Sequence, residues 1–325
     1  MPELPEVEYT ARQLRATIIG KTIAHVDVFW ARSVSTPELP DFVANLENRR
    51  ITAIRRRGKL LLLDLSGELV LSIHRRMTGN LLLLPQGWDI DTGLREADAA
   101  AWNTKGPTFY EIEVQNESCD SQGQDATVGV ATRTVASTQT RYCRICLTFT
   151  DGERLLFTDP RKFGRVALFA RQDEEVMLHG VGVEPLSESF TAEQFEQALT
   201  RRAKTNIKQA LLAQELVAGI GNIYADEALY FAHLHPLRRV NTLNAQEIAR
   251  LHEGIITVLT RGIEHGGTSF NDYRDLWGES GDNYNHVFVY HKDGTPCPNC
   301  GTRIERIIVG QRGTHFCPTC QPMTQ

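Results

Sequence analysis

The residues best suited to chemistry lie at the two ends of the chain. Near the C-terminus, "CPNCGTRIERIIVGQRGTHFCPTC" pairs Cys297 with Cys300 and Cys317 with Cys320, with sixteen residues between the pairs. A two-residue gap lets one turn offer both sulfurs to a tetrahedral ion, so the pattern predicts one structural zinc ion held by four thiolates. The strand-like residues between the pairs flank a Gly-Gln-Arg-Gly turn, which predicts a β-hairpin with Arg312 at its tip as a phosphate contact. The chain opens "MPELPEVEYT". Loss of Met1 leaves Pro2 as a secondary amine, and an α-amino group has a pKa of about 8, so a useful fraction is nucleophilic at neutral pH. Attack on a sugar C1′ gives an iminium, and Glu3 and Glu6 stand beside it for proton transfer.

A third candidate is "NIKQALLAQELVAGIGNIYADEAL", two helical stretches around closely spaced glycines. It reads either as a turn whose backbone N–H groups cradle a phosphate or as a plain helix–turn–helix corner. Cys143 and Cys146 share a two-residue gap and Cys119 stands alone; with no second pair nearby they read as ordinary cysteines.

These groups need elements to position them. Pro5 suits a first helical turn, and Val7, Ala11, Leu14 and Ile18 recur at helical spacing, so a buried amphipathic helix begins near the start. The stretches "TIAHVDVFW", "RITAIRR", "KLLLLDL", "ELVLSIH", "NLLLLP", "RICLTFT", "ERLLFTD" and "RVALFA" read as short strands of a sandwich or barrel. Around "HGVGVEPLSES" a hinge is expected at Gly180, Gly182 and Pro185. Beyond it Thr191 caps a run of helices through "NAQEIARLHEGIITVLTRGIEHGG". The expected division is a β-rich domain at 1–178, a helical domain at 179–286 and a zinc finger at 287–325.

The 325 residues carry a net charge of −5, but residues 86–140 hold nine acids against three bases, so the rest is near neutral. That stretch reads as a partly disordered acidic and polar insertion. The bases cluster in "RRRGK", "HRRM", "DPRKFGR" and "RRAKTNIK", compatible with a phosphate-binding surface. No secretory or membrane-spanning pattern is evident, so a cytoplasmic, nucleoid-associated monomer without a membrane partner is expected.

The motifs "PELPEVE", "GKLLLL", "HRRMTG", "TDPRKFGR", "VEPLS", "VAGIGNIYADE", "GGTS" and "RGTHFCPTCQ" occur in an order that resembles the formamidopyrimidine-DNA glycosylases. The resemblance covers nearly the whole chain outside 86–140. It implies an α+β multidomain fold of N-terminal β-sandwich, helix–two-turn–helix domain and C-terminal zinc β-hairpin, with double-stranded DNA containing oxidised bases in the cleft. It also implies a bifunctional glycosylase and AP lyase that removes oxidised purines and cuts the backbone by β- and δ-elimination. Pro2 then takes the role of nucleophile, Glu3 that of proton donor and Lys59 that of a lesion-side contact, with Glu6 and Glu227 supporting. Met77, Arg161 and Phe163 fill the gap left by the flipped base, and His74, Lys204, Asn222 and Arg312 contact DNA.

The chain departs from the family at specific places. The filler loop usually reads His-Leu-Gly-Met, whereas here Arg75 and Arg76 precede Met77. "RYCRIC" replaces the usual histidines before "DPR", and Ala-Gln-Glu stands where Asp-Gln is customary. Two rival readings follow: an endonuclease VIII-like glycosylase for oxidised pyrimidines, and a non-catalytic zinc-dependent damage-binding protein. The Arg161 and Phe163 pair favours the purine branch.

Overall fold

The computed structural model describes residues 1–87, 140–270 and 272–323, together with the backbone of two strands inside 86–140. Helix α1 (Leu4–Thr17) leads into a sandwich of two sheets. The first sheet orders β1 (Ile23–Val28), β9 (Cys143–Phe149), β10 (Arg154–Thr158) and β6 (Asn80–Leu84). The second orders β2 (Val34–Thr36), β11 (Arg165–Ala170), β5 (Leu69–His74), β4 (Leu60–Leu65) and β3 (Ile51–Arg57). Every pairing is antiparallel except β11 with β2. Between β6 and β9, within the stretch read as a partly disordered insertion, strands β7 (Phe109–Asn116) and β8 (Gly129–Ala136) pair as a hairpin. The rest of that stretch, Cys119 included, lies outside the described residues.

The expected strands and helices form close to their predicted bounds, because each carries its own periodicity and turn signals. Helix α2 (Leu39–Leu46) and strand β2 were not anticipated; both are too short for a periodic pattern to show. The run of four leucines in β4 is explained by burial on both faces. Leu61, Leu63 and Leu65 enter the sandwich core, and Leu62 joins Val70, Ala167 and Phe169 on the opposite side. Cys143 and Cys146 are buried in β9.

Helix α1 spans two cores. Val7, Ala11, Leu14 and Ile18 are buried in the sandwich, whereas Leu4 is buried in the helical core. Each of the valine, leucine and isoleucine side chains contributes about 1.5–3 kcal/mol, so the helix cannot detach from either body cheaply. The helical body comprises α3 (Ala192–Thr200), α4 (Ile207–Leu212), α5 (Asn222–Phe231) and α6 (Ala245–Glu264). Thr191 caps α3 by accepting from the Gln194 N–H. After α6 the chain returns to the sandwich: Leu276 is buried in its core and its carbonyl accepts from the Leu83 N–H. A hairpin of β12 (Glu305–Val309) and β13 (Arg312–Phe316) ends the described chain. Its turn, Gly310-Gln311, has φ of 54° and 63°, the two left-handed residues of a type I′ turn. Among the described residues no helix is long and apolar enough to cross a membrane.

The three arginines of "RRRGK" are internal bracing. Arg55 bonds Asp64 and Glu174, Arg56 bonds Glu8 and Glu184, and Arg57 bonds Glu184 and the carbonyl of Val181. Those pairs tie α1 and the inter-domain stretch to β3. The expected hinge is therefore anchored at 181–184, and Val183 also bridges Val217.

Candidate active site

The N-terminus is inserted where the sandwich meets the helical body. The Glu3 carboxylate accepts the N–H groups of Gly221 (2.8 Å), Ile223 (3.0 Å) and Tyr224 (3.4 Å) at the start of α5, and the Leu4 N–H donates to the Gly219 carbonyl at 3.0 Å. A Cβ at Gly221 would lie 2.3–2.7 Å from the Glu3 carboxylate. At Gly219, φ is +86° and a Cβ would lie 2.7 Å from Leu4. The close glycines therefore admit the N-terminus. The sequence left a phosphate cradle and a plain corner both open here; the anion held at this helix start is Glu3, an arrangement the positive end of the helix favours.

Pro2, the residue before Glu3, is buried, while Met1 is 44 % exposed. Glu6 faces inward as well. One oxygen accepts from the Tyr224 hydroxyl (2.7 Å) and the Thr268 N–H (2.8 Å), the other from the Glu3 N–H (2.7 Å). Burial and the neighbouring Glu3 carboxylate raise its pKa. With both oxygens engaged, Glu6 is a fixed strut that orients Glu3 and the start of α1. Lys59, in the β3–β4 turn, is buried and donates to the Ile220 carbonyl at 3.0 Å. Burial lowers its pKa, opposed by Glu3 and Glu6, while Arg312 lowers it further.

A second group lines two adjacent loops. Phe163 is 47 % exposed, Arg161 is exposed 4.8 Å above its ring, and Met77 is partly exposed. Buried Asp159 joins the loops: it accepts the hydroxyl of Thr78 and the N–H groups of Arg161 (3.1 Å) and Gly164 (2.6 Å). Gly79 and Gly164 both close on the Phe157 ring, where a Cβ would come within 2.9 and 2.3 Å. His74, at the end of β5, accepts the Arg76 N–H on Nδ1 at 3.0 Å, which leaves the neutral ring its proton on Nε2, free for donation. Burial, Arg76 and Lys59 push its pKa down to about 4.

The third group joins helix and finger. Lys208 and Asp226 are fully buried and paired at 2.5 Å, and Lys208 also donates to the Asn222 carbonyl. The second oxygen of Asp226 accepts the His315 N–H at 2.9 Å. The Asn222 amide donates to the Gly313 carbonyl at 2.8 Å, which fixes the hairpin with Arg312 exposed at its end. Glu227 accepts the N–H groups of Phe288, Val289 and Tyr290, so it holds the approach to the finger rather than moving protons. The structure puts Lys204 on an exposed turn and Lys208, one helical turn later, into the cluster. Cys297, Cys300, Cys317 and Cys320 converge, with Sγ pairs 3.8 and 3.4 Å apart. Four sulfurs at about 2.3 Å from one zinc ion stand about 3.8 Å from each other, so the set fits a structural zinc.

Comparison with known proteins agrees with this geometry. Residues 1–166 match the formamidopyrimidine-DNA glycosylase N-terminal domain, 181–274 the H2TH domain of the same proteins, and 294–322 the zinc finger found in FPG and IleRS. The chain belongs to the formamidopyrimidine-DNA glycosylase family. It is 40 % identical to the formamidopyrimidine-DNA glycosylase of Herpetosiphon aurantiacus over 99 % of this chain and all of that one, and 37 % identical to that of Roseiflexus over the same shares. A Lactococcus lactis FPG variant solved with Fapy-dG-containing DNA superposes with a TM-score of 0.76 at 32 % identity, covering 99 % of this chain and 100 % of that one. The complex of Lactococcus lactis Fpg with abasic-site DNA gives 0.75 at 31 %, covering 98 % and 99 %. Membership makes the chain a DNA-repair glycosylase and AP lyase with a four-cysteine zinc finger.

Against the family pattern, the filler-loop arginines have separate explanations. Arg76 stands in the glycine position with φ +54°, a left-handed conformation that costs a non-glycine residue about 1–2 kcal/mol. Arg76→Gly is expected to raise thermal stability by about 1 kcal/mol, read as a melting shift. Arg75 replaces the family's leucine and is fully buried. Its guanidinium donates to the Gly79 carbonyl (2.8 Å), the Thr10 hydroxyl (2.8 Å), the Asn80 side chain (2.6 Å) and the Arg274 carbonyl (3.2 Å), over the Tyr273 ring. It thus ties the filler loop to α1 and to the stretch after α6. Restoring leucine here leaves those acceptors short of a donor, so Arg75→Leu is expected to cost about 2–4 kcal/mol in chemical denaturation. The depressed His74 pKa has its own signature. The unfolded ring takes up a proton near pH 6.5 and the folded one only near 4, so His74 costs stability as pH falls through that window. His74→Gln is expected to flatten the fall in melting temperature between pH 6.5 and 4.

Sequence reasoning missed Lys208, Tyr224 and Thr268. Each works by burial and by partners far along the chain, which local spacing does not reveal.

Proposed function

We propose that the chain removes oxidised purines from double-stranded DNA and cuts the backbone, with Pro2 as the nucleophile. A base inside a duplex is beyond reach and is turned out of the stack before it is excised. The adjacent loops of Met77, Arg161 and Phe163 suit the vacated space. Met77 and Phe163 replace lost stacking, and Arg161 offers donors to the orphaned cytosine. Lys59, His74, Asn222 and Arg312 are the proposed DNA contacts along the groove. Lys208 takes the place first considered for Lys204, acting through Asn222.

In the proposed chemistry the Pro2 nitrogen bonds to C1′ as the C1′–base bond breaks. Glu3 moves the protons that let the base depart and the sugar ring open to an iminium. Loss of the C2′ proton expels the 3′ phosphate, and a second elimination expels the 5′ phosphate. Hydrolysis of the remaining iminium frees the amine. The observation that carries this reading is the N-terminus itself: a buried Pro2 adjoins a carboxylate fixed by three N–H groups, with Lys59 in electrostatic reach. Met1 is exposed, so its removal is sterically open.

The deciding experiment incubates untagged protein with a duplex containing 8-oxoguanine opposite cytosine, adds borohydride and maps the cross-linked residue. An adduct on Pro2 is the expected result. Tight binding without any adduct, with Met1 confirmed absent, would favour a damage-binding protein. A second lesion class merits the same assay, because wild-type Lactococcus lactis Fpg was solved with DNA containing an oxidised pyrimidine. Faster turnover of thymine glycol than of 8-oxoguanine would move the assignment to the pyrimidine branch.

A further inference from the structure

Beside the catalytic cluster, at the C-terminal end of α6, lies a group of side chains with no part in the chemistry above. His265 follows the last turn of the helix, Asp282 precedes the short turn Asn283–His286, and His286 ends it. One donor atom from each lies within 4.8 Å of the others. We infer that His265, Asp282 and His286 form a second divalent-cation site, for an ion of the zinc class, which fastens the end of α6 to the 268–286 segment.

The backbone prepares this arrangement. The Asp282 N–H donates to the His265 carbonyl at 2.8 Å, which locks together two residues seventeen positions apart. The His265 and His286 rings lie face to face, with centroids 3.5 Å apart and planes 12° from parallel. His286 Nε2 is 2.9 Å from Asp282 Oδ2, and the other carboxylate oxygen accepts from Asn285. Two imidazoles and a carboxylate are ligands that zinc accepts, at about 2.0–2.2 Å. Bringing the donors to the spacing of a tetrahedral ion requires the stacked rings to fan apart about their Cβ–Cγ bonds. Binding also displaces the proton His286 shares with Asp282.

Charge around the site supports a cation. The adjoining cleft of about 710 Å³ is lined by Glu264, Asp275, Glu279 and Asp282 among others, with no lysine or arginine in its lining. The site also has a route to the active centre. Thr268, whose N–H bonds Glu6, receives a hydrogen bond from the Asn283 amide at 2.8 Å, and Asn283 lies between the proposed ligands Asp282 and His286. An ion that fastens Asp282 and His286 to α6 therefore restrains the segment that holds Glu6.

The test uses full-length protein whose finger is already loaded with zinc. Titration with further Zn2+ by calorimetry is expected to show one additional equivalent per chain. The wild-type melting temperature should rise with added zinc, since the ion binds only the folded state, and hydrogen exchange should slow across 266–286. His265→Gln and His286→Gln should each lose the additional equivalent and the slowed exchange, while retaining the finger zinc. Saturation at one zinc per chain would overturn the inference. So would retention of the additional equivalent by the double variant, since the ion would then be bound elsewhere.

Discussion

Glu3→Gln is expected to slow base release by about 10²–10⁴-fold, the usual share of a positioned general acid or base, while damaged-DNA binding stays within a few-fold of wild type. Glutamine keeps an oxygen that can accept from the start of α5, so the N-terminus should remain seated between Gly219 and Tyr224. Proton transfer is what is lost. Glu3→Ala provides the contrast, because it also strips the N–H groups of Gly221, Ile223 and Tyr224 of their buried acceptor. It should lose about 1–3 kcal/mol of stability besides the activity. Single-turnover excision and equilibrium binding on the same lesion duplex separate the two effects. Undiminished base release by Glu3→Gln would remove Glu3 from the chemistry and leave it a helix cap.

The same residue shows what the sequence could and could not convey. The pairing of Pro2 with Glu3 was visible in the sequence, and what the structure adds is the burial of both. The four cysteines were legible because a metal imposes spacing. The strands and long helices were legible because burial imposes periodicity. What escaped is the function of the glycine turn. Gly219 and Gly221 yield to a partner over two hundred residues away, and no local pattern distinguishes room for a phosphate from room for Glu3. The "RRRGK" arginines escaped for a related reason. A basic run has the same sequence whether it faces DNA or, as here, Glu8, Asp64, Glu174 and Glu184. Arg75 is the opposite case: its departure from the family pattern was visible, but its burial against Thr10 and Asn80 was not.

Cys317→Ser should release zinc and abolish tight DNA binding together, while the sandwich remains folded. Cys317 is fully buried and packs with Tyr230, Val289, Cys297 and Ile304, so the small finger core depends on it directly. A structural zinc in a small finger is worth about 10 kcal/mol or more of folding free energy, far beyond what those few side chains supply. The damage should extend past the finger. Without the hairpin, Asn222 loses Gly313 and Asp226 loses the His315 N–H, which leaves one oxygen of a fully buried carboxylate without its donor. The start of α5, where Glu3 is held, therefore loses support from its other side. Base release from bound DNA should fall as well as affinity, even though no finger residue touches Pro2 or Glu3 in the proposed chemistry. Zinc content, binding and single-turnover excision measured on the same preparation check this chain of effects. Excision that stays normal once DNA is saturated would show that the finger only clamps phosphates and that the Asp226 connection carries nothing to the catalytic centre.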